Sequence, residues 1–112
     1  MRQLVLAGAA MIALAYPAEA FTAKCLLQVA GRNYINGPCN VDTEPDGSFS
    51  IGTDSRSPYF AYVNVQLDDR SAADGYWNET KGATRAHAPL GVLRFRDGCW
   101  SNEKAKVCWS KI

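Results

Sequence analysis

The residues that could do chemistry are few and scattered along the chain. The only histidine, His87, lies in the loop-like stretch Arg-Ala-His-Ala-Pro-Leu-Gly. A histidine base needs a nucleophile and an orienting acid, and no serine or cysteine occurs in a recognisable nucleophile motif. Carboxylates crowd residues 40–80, but most fall in turns, where Asp is favoured for backbone reasons. The sequence therefore predicts that the protein is not an enzyme.

Metal or cofactor binding is not indicated either. The spacing Asp42-x-Glu44-x-Asp46 is similar to the start of a calcium loop, but Pro45 and the missing terminal glutamate spoil it. The four cysteines contain no C-x-x-C pair of the kind that zinc sites use. We expect no metal and no cofactor.

Residues 76–82, Tyr-Trp-Asn-Glu-Thr-Lys-Gly, are the most informative short stretch. Aromatic residues followed by a glycine are typical of a strand that runs into a turn, and a turn displays its side chains. Asn78-Glu79-Thr80 is a glycosylation sequon, which matters only in a eukaryotic secretory pathway. The export signal described below looks bacterial, so we expect Asn78 to be unmodified and Lys81 to be the residue of interest.

The first 20 residues predict a secretory signal peptide. A short positive start and an apolar run precede Ala18-Glu19-Ala20, which offers small residues for cleavage after Ala20. Lys24 stands before the first cysteine, where a lipoprotein requires a small residue, so no membrane anchor is expected. The sequence predicts a periplasmic protein whose single domain covers residues 21–112.

The elements that must position these residues are strands. Runs rich in Val, Ile, Tyr, Phe and Trp alternate with Gly, Pro, Asn and Asp, without helical periodicity. The strongest run, residues 59–67, places apolar side chains from Tyr59 to Leu67 on one face. About seven short strands predict an all-β fold, a small antiparallel β-barrel or a sandwich.

Four cysteines in an exported chain of this size indicate two disulfides, which allow three pairings. Cys25 and Cys39 bracket a stretch that folds about Gly31-Arg32-Asn33, which would place them opposite each other. Cys99 and Cys108 bracket a second stretch that folds about Glu103-Lys104. The local pattern favours Cys25–Cys39 and Cys99–Cys108, each closing the open end of a hairpin.

Charge is unevenly distributed along the chain. Residues 40–80 hold eight acids against two bases, and residues 81–112 hold seven bases against two acids. The chain is not basic overall, which argues against a nucleic-acid partner. The acidic segment is either an ordinary solvated surface or a set of loops that steers a basic partner.

Two motifs carry a resemblance to a known family. Tyr76-x-x-x-Thr80-Lys81-Gly82 matches the Y-x-x-x-T-K-G signature of the bacterial membrane-bound and periplasmic inhibitors of c-type lysozyme, the MliC/PliC family. Residues 30–34, Ala-Gly-Arg-Asn-Tyr, are similar to its second signature, S-G-x-x-Y, with alanine in place of the serine. The two signatures lie close together in the family, whereas a long stretch of chain separates them here.

The resemblance implies a β-barrel that blocks the lysozyme cleft and thereby aids evasion of host defence. Lys81 would offer its ammonium group to a catalytic carboxylate, with Arg85 or His87 as neighbours. Tyr76, Thr80 and Gly82 would shape the turn that presents Lys81. The acidic segment suits this partner, because c-type lysozymes are basic and complementary charge raises the association rate.

A second interpretation stays open at this point. Three tryptophans and several tyrosines are many aromatic residues for a small domain, and any that are exposed on one face could stack on sugar rings. The alternative function is therefore a module that binds carbohydrate or peptidoglycan of the cell envelope. The residues also leave open whether the chain forms a homodimer.

Overall fold

The computed structural model describes residues 18–54 and 56–112 of the chain. Most of the predicted signal peptide, residues 1–17, lies outside the described residues, and the predicted cleavage site after Ala20 falls inside the first strand. The described part forms eight strands: β1 Glu19–Val29, β2 Arg32–Thr43, β3 Phe49–Ile51, β4 Ala61–Val65, β5 Ala72–Trp77, β6 Ala88–Arg96, β7 Cys99–Ser101 and β8 Ala105–Ser110.

The strands close into an antiparallel barrel in chain order. Each strand pairs with the next, and β8 returns to pair with β1. The prediction of an all-β fold is confirmed, with a barrel rather than a sandwich and eight strands rather than about seven. Closure joins the first strand to the last, but the pairing is partial: β8 pairs only with Lys24–Val29 of β1, and β3 pairs only with Val41–Thr43 of β2.

Alternating side chains fill the barrel. On β1 the inward series is Ala23, Cys25, Leu27 and Val29, all buried. The predicted strand over residues 59–67 is shorter than expected: only Ala61–Val65 is a strand, and Leu67 is 81% exposed in the following loop. The alternation of apolar residues continues to Leu67 in the sequence, but the last residue of β4 that pairs with β5 is Val65.

Both predicted disulfides are confirmed, Cys25–Cys39 and Cys99–Cys108. Cys99 lies directly opposite Cys108, near the open end of its hairpin. Cys25, in contrast, lies opposite Gly37 and is a diagonal neighbour of Cys39, so the expectation that these two would be opposite is wrong. Their hairpin also continues to Glu19 and Thr43, and the bond therefore lies within it and not at its open end.

Successive connections alternate between the two ends of the barrel, because every strand reverses direction. The Lys81 end carries the connections 30–31, 52–60, 78–87 and 102–104. The opposite end carries the connections 44–48, 66–71 and 97–98, together with the start of β1 and the end of β8. Hydrogen bonds join neighbouring connections: the Ala30 amide donates to the Lys104 carbonyl, 2.8 Å away.

Candidate functional site

A tight turn over residues 80–83 displays Lys81. The Ala83 amide donates to the Thr80 carbonyl at 2.9 Å, and Gly82 occupies the third turn position with φ of +79°. That conformation is easy for glycine and costly for other residues, which explains the residue after the lysine. Lys81 is exposed at the second turn position. Thr80 and Gly82 thus lie in the turn, as the resemblance implies.

Asn78 holds this turn against the neighbouring connection. Its side chain is 6% exposed, and its Nδ2 donates to the carbonyls of Pro58 and Ala83, 2.9 and 3.0 Å away. Its Oδ1 accepts from the Phe60 amide at 3.1 Å. The Gly82 amide also donates to Pro58, at 2.9 Å. One buried amide side chain therefore fixes the Lys81 turn to the connection over residues 52–60.

Asn78 has a structural role that its sequence pattern did not indicate. Asn78 is the asparagine of a sequon, but its side-chain nitrogen hydrogen-bonds three carbonyl oxygens, including that of Thr80 at 3.3 Å. Glu79, between them, has a φ of +56°, so the chain turns sharply as it leaves β5. An asparagine that directly follows an aromatic strand end and precedes a turn was the available signal.

An open cleft of about 700 Å³ lies between these two connections. Lys81, Gly82 and Thr84 line one side, and Thr53, Asp54, Arg56, Ser57 and Phe60 are among the residues on the other. Arg56 is exposed, and its guanidinium lies 3.9 Å from the Asp54 carboxylate. Charged side chains stand on both walls of the cleft, Lys81 on one and Asp54 with Arg56 on the other.

The two sequence motifs, although far apart in the chain, meet at the Lys81 end. Tyr34 is the unpaired residue of a β-bulge, since Leu27 pairs with Ile35 and Gln28 with Asn33. Its ring packs edge-on against Trp77, with centroids 4.7 Å apart, and against Tyr59 at 4.9 Å. The tyrosine of the first motif therefore contacts the residue that precedes Asn78.

The start of the first motif forms the turn between β1 and β2. Ala30 and Gly31 both have positive φ, +52° and +80°, as a two-residue type I′ hairpin requires. The turn is therefore one residue earlier than predicted, because Arg32 already belongs to β2. The Arg32 guanidinium lies 5.4 Å from the centre of the Tyr34 ring. Ala30 is exposed at the same end of the barrel as Lys81.

Of the other predicted site residues, two share the connection of Lys81 and the third, Tyr76, lies on β5. Arg85 and His87 are exposed in the same connection as Lys81, and His87 directly precedes β6. Tyr76 is half-buried on β5, opposite Tyr62, with neighbouring Trp77 turned into the core. Among the hydrogen bonds of the described residues, none joins the Tyr76 side chain to the turn. Thr80 and Gly82, in contrast, take part in the turn through their backbone groups.

The acidic segment is divided between the two ends. At the Lys81 end, four bases in the connections face three acids; at the opposite end, five acids face one base. Of the eight acids in residues 40–80, only Asp54 and Glu79 lie in connections beside Lys81. The four in the opposite-end connections are Glu44, Asp46, Asp68 and Asp69. These acids therefore do not form one patch around the lysine.

Comparison with protein-family models, with curated proteins and with solved structures found no significant match to this chain. Within residues 18–54 and 56–112, no three or more His, Cys, Asp or Glu side chains are grouped as a metal site would need. The same residues include no helix long and apolar enough to cross a membrane.

Proposed function

We propose that the protein is a periplasmic inhibitor of c-type lysozyme that blocks the active-site cleft of the enzyme. The observation that carries this proposal is the 80–83 turn, which displays Lys81 and is fixed by the buried Asn78 amide. The resemblance of both motifs to the inhibitor family adds a second line of support. The contact between the Tyr34 and Trp77 rings, which brings the two motifs to the same end of the barrel, also supports the proposal.

In this mechanism the Lys81 end enters the cleft of the enzyme. Glycosidases of this kind cleave their substrate with two carboxyl groups, and a lysine ammonium beside one of them neutralises it. Such a pair is strong only where water is excluded and the remaining hydrogen bonds are satisfied. The turn around Lys81 and the walls of the enzyme cleft would keep water away from this ion pair.

A pre-formed turn makes the contact efficient. Ordering a flexible loop on binding costs roughly 0.5–1.5 kcal/mol for each immobilised side chain. The hydrogen bonds from Asn78 and Gly82 to Pro58 hold the turn before any partner arrives. Lys81 therefore has to order only its own side chain.

The experiment is an inhibition assay with purified protein and a c-type lysozyme, in which lysis of bacterial cell walls is followed. We expect lysis to slow in proportion to added protein and to stop when the protein is in excess. Unchanged lysis at excess protein would refute the proposal. The Lys81→Ala variant, compared with Lys106→Ala on the wall of the barrel, assigns the inhibition to the turn.

A further inference from the structure

The opposite end of the barrel carries an aromatic surface that the proposed inhibitor function does not use. Trp109 and Phe21 turn inward at this end, with ring centroids 5.1 Å apart, and Phe49 lies 6.3 Å from Trp109. Phe95 and Trp100 form a second pair, 5.3 Å apart. Phe95 is 57% exposed, and Trp100 and Trp109 are half-buried.

Three depressions adjoin one another along this surface. The first, about 410 Å³, and the second, about 290 Å³, share Phe49 and Trp109 as walls. The second and the third, about 520 Å³, share Phe95 and Trp100. The first and the third have no wall residue in common. The depressions therefore follow one another in a row, separated by aromatic rings.

The edges of the three depressions carry both acidic and basic side chains. Glu19, Glu44 and Lys111 line the first depression, and Arg70 and Ser71 line the third. Cleavage after Ala20 would remove Glu19, leave Glu44 as the carboxylate at the first depression, and add the α-ammonium group of Phe21 there. A charged ligand would meet a like charge at one edge or another. A neutral ligand with many hydroxyl groups could use donors and acceptors of both kinds.

Arg70 and Ser71 belong to a hydrogen-bonded group that holds the third depression in shape. Arg70 donates to the Asp46 carbonyl at 3.2 Å, and Ser71 Oγ donates to Asp69 at 2.6 Å. Arg94 donates to the same Asp69 carboxylate at 3.2 Å. The edge of this depression is therefore ordered without a ligand.

We propose that this row of depressions, here called the aromatic trough, binds a linear neutral oligosaccharide. Aromatic faces stack on the apolar faces of sugar rings, and the mixed polar edge hydrogen-bonds the hydroxyl groups. Three successive depressions suit three successive rings of one chain. The inhibitor site is at the other end of the barrel, so a single molecule could hold both ligands.

The test is a titration of tryptophan fluorescence with the trimer of β-1,4-linked N-acetylglucosamine. We expect a saturable change whose midpoint is the same at low and high salt, because the ligand is neutral. The Phe95→Ser variant should weaken binding roughly fivefold or more. Leu67→Ser, which removes an exposed apolar side chain that does not line the trough, is the matched control and should bind normally.

Three outcomes would overturn the trough proposal. They are no saturable change, binding that Phe95→Ser leaves intact, and saturable binding of a lysine-rich peptide in place of the sugar. Lys81→Ala should bind the sugar like the wild type, and Phe95→Ser should still inhibit lysozyme. Failure of the trough is thereby distinguished from failure of the inhibitor proposal.

Discussion

At the scale of single residues, the candidate site depends on one buried asparagine and one glycine. Asn78 satisfies three carbonyl oxygens and one amide across two connections. Gly82 adopts the positive φ that places Lys81 at the tip of the turn. The sequence motif specified the glycine and the lysine, but it did not reveal the role of Asn78, because two of its partners, Pro58 and Phe60, are distant in the chain.

Replacement of Asn78 by alanine tests this role. The Ala83 carbonyl would lose its side-chain donor and the Phe60 amide its acceptor, while the Pro58 carbonyl would keep only the Gly82 amide, and a buried unsatisfied group costs about 1–3 kcal/mol. We expect the free energy of unfolding to fall by about 2 kcal/mol in a denaturant titration. The control is Asn36→Ala, an exposed asparagine on β2. Equal stability of the two variants would contradict the assigned role.

At the scale of elements, the sequence predicted the strands better than their ends. Alternating apolar residues identified β4, and the aromatic residues at 76 and 77 indicated the end of β5, which in fact begins earlier, at Ala72. The bulge at Tyr34 was not predictable, because the residues that stabilise it, Tyr59 and Trp77, come from other strands and connections. Local pattern determines which residues form strands, and tertiary packing determines where strands end.

The two hairpin disulfides should differ in their response to reductant. Cys25 and Cys39 are 1% and 8% exposed, whereas Cys99 and Cys108 are both half-buried. Since a thiolate must reach the sulfur, we expect Cys99–Cys108 to be reduced first under native conditions. Loss of either bond should lower stability by about 3 kcal/mol on the loop-entropy model. Mass mapping after timed alkylation measures the order, and reduction of Cys25–Cys39 first would contradict it.

The β2–β3 connection should respond to acid. The Ser48 backbone amide, which donates to Asp46 at 2.8 Å, holds the pKa of Asp46 below its ordinary value of 3.8. The ionised carboxylate therefore stabilises the fold above that ordinary pKa, and its contribution is lost as pH falls through the lowered pKa. We expect wild type to be more stable than Asp46→Asn at neutral pH and the difference to close in acid. A difference independent of pH in denaturant titrations would argue against this.

At the scale of the whole molecule, barrel closure brings the two inhibitor-like motifs together. β1 and β2 supply one motif and β5 with its following connection supplies the other, yet Tyr34 and Trp77 touch. Sequence could predict an all-β domain and both disulfides. It could not predict this contact, because β2 and β5 are not neighbouring strands and these two side chains meet only in the closed barrel.

The charge distribution gives a prediction for the approach of lysozyme. The acids of the opposite end are separated from the Lys81 end by the length of a strand, about 20 Å for six residues, beyond the screening length of roughly 8 Å in physiological salt. These acids should therefore contribute little to the attraction of lysozyme toward the Lys81 end. We expect the association rate to change less than about threefold when Asp68 and Asp97 are both replaced by asparagine. A larger loss in surface plasmon resonance would show that these acids do steer the encounter.

The central claim is that Lys81, held on its turn, blocks the lysozyme cleft. The most direct measurement is the inhibition constant of wild type, Lys81→Ala and Lys106→Ala against one c-type lysozyme, with circular dichroism to verify the fold. Loss of a desolvated charge pair costs about 2–5 kcal/mol, so Lys81→Ala should inhibit at least about thirtyfold more weakly. Lys106→Ala should match the wild type. Equal inhibition by all three proteins, or none by the wild type, would contradict the account.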